Sequence, residues 1–133
     1  MAKTVLELQV FQRALAAADA VFAILQSTRS RQARDLGAQL DRASTRVVSD
    51  IAEGFEQKTD RHFARYLYDA RGGAAEIRVQ LLIAQSRGLI SDDEHRAVAG
   101  RYEEIGRMLT GLIRYLEQAD RRDRHKKEKG EPA

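Results

Sequence analysis

The sequence predicts an all-α protein, folded as an antiparallel up-down four-helix bundle. Its single proline, Pro132, is next to last, so no proline ring interrupts a helix before it. Good helix formers such as Ala, Leu, Arg, Glu and Gln dominate, whereas aromatic residues make up only 6%. Apolar residues also recur in alternating steps of three and four through four successive segments, the spacing of helices that pack side by side.

The first predicted helix begins near Thr4, which could form a Thr-x-x-Glu capping box with Glu7. Its apolar stripe is Leu8, Phe11, Leu15, Ala18, Phe22 and Leu25. The polar segment 27–32 should end this helix, and either Ser30 or Asp35 should cap the next one.

The second and third predicted helices flank a short polar turn at residues 57–59, and the third begins at Thr59 or Asp60. The apolar stripe of the second is Leu36, Leu40, Ala43, Val47, Ile51 and Phe55. That of the third is Phe63, Leu67, Ala70, Ala74, Ile77, Leu81 and Ala84. Gly54 needs either a close contact or a helix end to offset its low helix propensity. The pair Gly72 and Gly73 indicates a close approach by another helix.

The fourth predicted helix follows a glycine C-cap at Gly88 and opens with the capping box of Ser91 and Glu94. Its stripe is Val98, Tyr102, Ile105, Leu109, Leu112 and Leu116, and three glycines, Gly100, Gly106 and Gly111, hint at tight contacts. Past Asp120 the chain lacks apolar residues and is expected to fray. We therefore divide it into a bundle at 1–120 and a basic, disordered tail at 121–133.

Apolar residues outside the stripes predict self-association, because a monomeric bundle of this size rarely needs so many. They are Val10, Val21, Ile24, Tyr66, Val79, Leu82, Ile83, Met108, Ile113 and Tyr115.

The net charge of +3 resides in the tail, since 121–133 carries six basic and three acidic residues. Only five of the 23 basic residues are lysines, and arginine favours forked contacts to phosphate or carboxylate. The chain has no cysteine, so disulfides and thiolate metal sites are excluded. With no apolar run long enough to cross a membrane and no apparent signal peptide, we expect a cytoplasmic protein without a membrane partner.

Catalytic and metal-binding patterns are missing from the sequence. The three histidines, His62, His95 and His125, are isolated, whereas di-metal bundles use two Glu-x-x-His units. For Glu53 and Glu76, an interface ion pair or hydrogen bond is favoured over a catalytic role. We therefore expect no enzyme activity, no metal and no cofactor.

The run Ser49-Asp50-Ile51-Ala52-Glu53-Gly54-Phe55, just before the predicted turn, is the most specific motif of the chain. It is accompanied by Leu36, Gln39, Leu40, Arg42, Ala43, Phe63 to Leu67, Gly72, Glu76, Gln80 to Ala84 and Gly88 to Ile90. From about Leu8 to Leu116 the chain resembles the bacterial four-helix bundle family encoded in intervening sequences of 23S ribosomal RNA genes. The resemblance implies an up-down bundle that assembles as a ring-shaped homopentamer. No activity is established for that family, and nucleic-acid binding is the usual suggestion.

The chain is similar, more distantly, to accessory proteins of diversity-generating retroelements, bundles that bind nucleic acid and a reverse transcriptase. It also departs from the closer family. Val48 stands where a proline is common, Asp50 replaces an asparagine, Asp41 replaces a basic residue, and His62 stands where a glutamate is common. The loss of a positive charge at Asp41 weakens the argument for nucleic-acid binding.

Two functions remain open at this point. The first is a homo-oligomer, by resemblance a pentamer, that binds RNA or DNA without catalysis. Its candidate contacts are Arg42, Arg46, Lys58, Arg61 and Arg65 near the turn, and Arg121, Arg122, Arg124, Lys126 and Lys127 in the tail. We expect no aromatic side chain to take part beside these basic residues, so binding should depend on salt and tolerate sequence change. The alternative is a scaffold that binds a protein partner and has no nucleic-acid role.

Overall fold

The computed structural model describes residues 2–26 and 31–130, and this part of the chain forms four helices and no strand. A short 3-10 turn, Val5–Glu7, precedes α1 (Gln9–Leu25). Then follow α2 (Arg31–Phe55), α3 (Asp60–Ser86) and α4 (Asp92–Glu128). Each helix packs on its neighbours in the order α1, α2, α3, α4 and back to α1, so the predicted antiparallel bundle is confirmed.

The core is built from the predicted stripes of α2, α3 and α4. Leu40 and Ile51 of α2, Leu67 and Ile77 of α3 and Leu109 of α4 have 1% or less of their surface exposed. Residues four and three apart lie on one side of a helix, which is why the spacing locates these faces correctly.

The core face of α1 differs from the predicted stripe. Leu15 and Phe22 are 44% and 50% exposed, whereas Val10 and Val21, assigned to the surplus, are buried. Because α1 is apolar on most of its circumference, periodicity alone does not identify its inner side. The structure buries small residues there, including Ala17, which lets α1 pack closely against α2 and α4.

The start of α1 also differs from the prediction. Thr4 makes no side-chain capping bond, and α1 begins only at Gln9. The predicted capping box does not form: Glu7 Oε2 accepts from the backbone N–H of Lys3 at 2.8 Å rather than from that of Thr4. Asp35 lies within α2, and the predicted cap Ser30 falls outside the described residues.

Both ends of α3 follow their sequence signals. Thr59 Oγ1 accepts from the backbone N–H of His62 at 3.1 Å, which caps α3. At its end, Gly88 has a positive φ of 70°, and the N–H of Leu89 donates to the carbonyl of Ala84. A positive φ at Gly88 together with this hydrogen bond marks the Schellman motif, in which glycine is the favoured residue.

At the C-terminus, α4 continues through residues 121–128, where the sequence predicted fraying. An ion pair between Arg124 and Asp120, 3.2 Å, and basic residues at the negative end of the helix dipole support this extension. All of residues 121–130 are exposed, so they add no packed surface. The division between a bundle at 1–120 and a tail at 121–133 stays a prediction.

Candidate nucleic-acid interface

Six of the predicted basic residues come together where α3 begins. Because α4 runs antiparallel to α3, its last turns lie beside the start of α3. Arg61 and Arg65 of α3 and Arg121 and Arg124 of α4 line one open depression of about 690 Å³. Lys58 and Lys127 line the adjoining one, together with Arg124. We call these six residues the hairpin-end cluster.

The turn that carries Lys58 is held in place by local hydrogen bonds. The backbone N–H of Gln57 donates to the carbonyl of Gly54, and Thr59 caps α3. The Thr59 hydroxyl also lies 3.0 Å from Nδ1 of His62. His62 therefore stabilises the start of α3.

Acidic residues moderate the charge of the hairpin-end cluster. Four of them line the same two depressions: Asp60, Glu117, Asp120 and Asp123. Only Arg124 is in an ion pair with one of these acids, Asp120. Six basic residues against four acidic ones leave an excess of two positive charges, so the attraction for a polyanion is local and screened by salt.

The remaining predicted contacts lie apart from this cluster. Arg42 and Arg46 are exposed on α2, about 20 and 14 Å before its end at 1.5 Å per residue. Arg122 and Lys126 are exposed on the last turns of α4 but line neither depression. The structure thus divides the ten predicted residues into a group of six and four that stand outside it.

Arg46 also interacts electrostatically with Asp50. Partial burial raises the pKa of the Asp50 carboxyl, the negative charge of Asp69 on α3 raises it further, and the Arg46 charge opposes both. Arg46 therefore offsets part of the unfavourable environment of a carboxylate at the α2–α3 contact. That role reduces its availability for a ligand.

The basic residues in the middle of the α3–α4 surface were not identified from the sequence. Arg71 and Arg78 of α3 and Arg107 and Arg114 of α4 line an open groove of about 600 Å³. We call this groove, with its four arginines, the arginine groove. The signal was present as a seven-residue spacing within each helix, which keeps residues on one side of supercoiled helices.

An aromatic side chain also lies among the basic residues, contrary to the sequence-based expectation. Tyr68, 42% exposed, lines the depression of about 690 Å³ that Arg61 and Arg65 also line. The guanidinium of Arg71 lies 4.9 Å from its ring centroid, and its hydroxyl donates to the Glu117 carboxylate at 3.1 Å. The helical register of α3 and the antiparallel pairing with α4 bring these groups together, which linear sequence does not reveal.

Within the described residues, no group of three or more His, Asp or Glu side chains is arranged to hold a metal ion. No helix in this part of the chain is both long enough and apolar enough to cross a membrane.

Comparisons with known proteins agree with this architecture. The chain resembles a protein of unknown function from the S23 ribosomal protein family of Bacteroides thetaiotaomicron, with a TM-score of 0.69 at 18% identity, over 78% of this chain and 97% of that one. At that identity the likeness shows the fold alone. No curated protein sequence matches. The model of the 23S rRNA-intervening sequence proteins matches residues 6–111, which include α1, α2, α3 and the first half of α4. The chain therefore belongs to the family of 23S rRNA-intervening sequence proteins.

Proposed function

We propose that this protein is a non-catalytic, homo-oligomeric bundle of the cytoplasm that binds nucleic acid, in particular RNA, through its basic surface. The observation that carries the proposal is the hairpin-end cluster, in which residues about 60 positions apart in sequence line adjoining depressions. Arginine guanidinium groups suit this task because their fork matches the oxygens of a phosphate.

Binding of this kind depends on salt and tolerates sequence change. Each phosphate neutralised on a single strand releases condensed counterions and contributes about −0.7 to the slope of log K against log salt. Since one chain contributes only a small excess of positive charge, several copies in one assembly would strengthen binding by avidity.

The exposed apolar residues support assembly into a ring. Leu15 and Phe22 form a patch on α1, and Val79 and Leu82, 57% and 54% exposed, form a patch on α3. We call these the α1 patch and the α3 patch. Since α1 and α3 are diagonal in the bundle, the two patches lie on opposite sides. A head-to-tail contact between different patches generates a ring when the rotation closes, and the family resemblance suggests five copies.

The experiment that tests the proposal is RNA binding by fluorescence anisotropy at increasing salt. The wild type should bind at micromolar concentration in low salt. The double variant Arg61→Gln/Arg65→Gln should lose about 1.4 from the magnitude of the salt slope, because two phosphate contacts disappear. The matched control is Arg87→Gln/Arg101→Gln, which removes two exposed arginines elsewhere on the chain. Absence of wild-type binding, or equal losses in both variants, would overturn the proposal.

A protein-interaction scaffold is the second candidate, and the exposed patches are the observation that favours it. Apolar surface rimmed by polar residues is typical of protein contacts as well as of self-association. A partner that is recovered in a pull-down after nuclease treatment and at high salt would support the scaffold. Recovery of nucleic acid alone would count against it.

A further inference from the structure

The arginine groove is a furrow on the outer surface between α3 and α4. Arg71 and Arg78 form one wall, and Arg107 and Arg114 form the other. Glu103 is the only acidic residue of its lining, so the groove carries an excess of three positive charges. The row continues along α4 to Arg121, seven residues after Arg114, in the hairpin-end cluster.

None of the four groove arginines is in an ion pair with an acidic residue. Among the described residues, no ion pair within 4.0 Å involves Arg71, Arg78, Arg107 or Arg114. Two nearby acids interact with other helices: Glu104 of α4 pairs with Arg13 of α1 at 2.7 Å, and Asp69 of α3 acts on Asp50 of α2. Positive charge is therefore concentrated on one surface of a chain that is nearly neutral over its bundle, and like charges held together favour an anionic ligand.

The floor of the furrow is open down to the helix backbone. Gly106 and Gly111 line the arginine groove, and Gly100 lines its continuation towards the start of α4. A Cβ atom at any of the three would meet nothing within 4 Å. Within residues 2–26 and 31–130, these three glycines therefore lack the tight contacts that the sequence suggested. These glycines weaken the helix by up to about 1 kcal/mol each, and they leave space for a ligand between the arginine rows.

Tyr68 and Arg71 form a fixed flat surface where the arginine groove meets the hairpin-end cluster. Arg71 Nη1 donates to Thr110 Oγ1 at 3.3 Å while its guanidinium lies over the Tyr68 ring. The Glu117 carboxylate holds the Tyr68 hydroxyl from the other side. Aromatic rings and guanidinium planes held in this way are the surfaces on which unpaired bases stack.

The usual spacing of packed helices favours a single strand over a duplex as the ligand of this furrow. Axes of packed helices are roughly 8–10 Å apart. Even the major groove of a duplex is about 12 Å wide, and the duplex itself is wider still. A single sugar–phosphate strand can therefore enter the furrow, whereas a duplex reaches only its rim.

We propose that the arginine groove binds single-stranded nucleic acid, with the phosphates on its four arginines and a base stacked on Tyr68. This inference rests on the proposed function, to which it adds strandedness and a path along α3 and α4. The strand would run from the hairpin-end cluster through the arginine groove, past the Tyr68 ring.

Anisotropy with the full-length chain tests the path. The probe is an unstructured, mixed-sequence RNA of roughly 16 nucleotides, compared with a duplex of the same length. The wild type should prefer the single strand. Arg78→Gln/Arg107→Gln should reduce the magnitude of the single-strand salt slope by about 1.4, and the control Arg87→Gln/Arg101→Gln should leave it unchanged.

A second set of variants tests the stacking surface. Tyr68→Leu should weaken single-strand binding about tenfold, within the range of one lost base stack. Tyr68→Phe should retain wild-type binding, because the ring stacks and the hydroxyl does not. Tyr115→Leu is the control, since Tyr115 is 51% exposed on α4 but lines neither groove nor depression.

The outcomes separate this inference from the proposed function. Binding that is lost in Arg61→Gln/Arg65→Gln but unchanged in Arg78→Gln/Arg107→Gln would refute the groove and leave the proposed function standing. Equal affinity for the duplex, or equal losses in Tyr68→Leu and Tyr115→Leu, would also refute it. If the wild type binds no RNA at all, both proposals fail together.

Discussion

The glycines Gly54 and Gly111 lie in opposite environments, although both are helical. A Cβ at Gly54 would lie 2.8 Å from Tyr66 Cβ and 3.0 Å from Phe63 Cδ1, whereas a Cβ at Gly111 would meet nothing within 4 Å. Gly54 therefore permits the close crossing of α2 and α3 at their shared turn. This close contact offsets the low helix propensity of Gly54.

We expect Gly54→Ala to destabilise the protein by about 1–3 kcal/mol, because Tyr66 and Phe63 would have to move. Gly111→Ala should instead stabilise it by about 0.5–1 kcal/mol, since alanine restricts the unfolded chain and fills open space. Urea unfolding at one protein concentration measures both. Two changes of the same sign would contradict the close contact assigned to Gly54.

The hydroxyl of Tyr102 is buried in the core near Ser44 but lacks a hydrogen bond of good geometry to the described residues. Burial raises the pKa of Tyr102 well above its ordinary value of 10, and the nearby Ser44 hydroxyl only partly opposes this. The unfolded chain therefore loses the phenolic proton at a lower pH than the folded one. Stability is complete below pH 10 and falls as the pH rises above it.

Tyr102→Phe should remove this pH dependence. Above about pH 10 the wild type should lose up to about 1.4 kcal/mol per pH unit relative to the variant, the linkage value for one proton. The measurement is the difference in unfolding free energy between wild type and variant at about pH 9 and pH 11. A constant difference between the two would show that the hydroxyl is solvated.

At the scale of helices, the starts at Ser91 and Thr4 show that a capping sequence does not always form a cap. Ser91 and Glu94 form both bonds of their box, at 3.0 and 2.8 Å. Thr4 and Glu7 have the same spacing, yet Thr4 caps nothing. Ser91→Ala should cost about 1 kcal/mol in urea unfolding, and Thr4→Ala should cost much less. Similar losses would mean that Thr4 caps a helix in solution.

Sequence patterns located three of the four helix faces, and the exception has a physical explanation. Polar residues occupy most of the outer side of α2, α3 and α4. On α1, Leu15 and Phe22 compete with Val10, Val21 and a series of alanines for the inner position. The choice depends on how closely α2 and α4 approach, which is a property of the packed bundle rather than of α1.

The candidate interface was only partly predictable, because it too depends on how the helices pack. Charge and composition identified Arg61, Arg65 and Arg124 as candidates. They did not reveal that α3 and α4 bring these residues together, nor that Arg71 and Arg114 face each other across a groove. Contacts between distant segments require the pairing of helices, and periodicity within one helix does not specify it.

At the scale of the whole molecule, the α1 and α3 patches predict a head-to-tail assembly. Light scattering of the wild type should give a multiple of the 15.0 kDa chain. Leu15→Glu, in the α1 patch, and Leu82→Glu, in the α3 patch, should each reduce the mass to that of one chain, because a buried unpaired charge is costly. Leu6→Glu is the control, since Leu6 is 67% exposed and belongs to neither patch.

A mixture of the two patch variants tests the head-to-tail contact itself. Each variant keeps one intact patch, so the mixture should form a heterodimer of two chains and nothing larger. A two-fold contact that buries the same patch on both chains would not give this result. A wild type of one-chain mass would contradict self-association.

The sequence by itself determined the helical class, the number of helices, several of the helix boundaries, and three of the four buried faces. Propensity, capping and spacing are local properties, and each acts within a few residues along the chain. Only the tertiary structure decided which side of α1 is buried, which basic residues lie together and where an exposed tyrosine meets them. These features depend on which helices pair and at what distance, because an interface between α3 and α4 exists only once both have packed on the core.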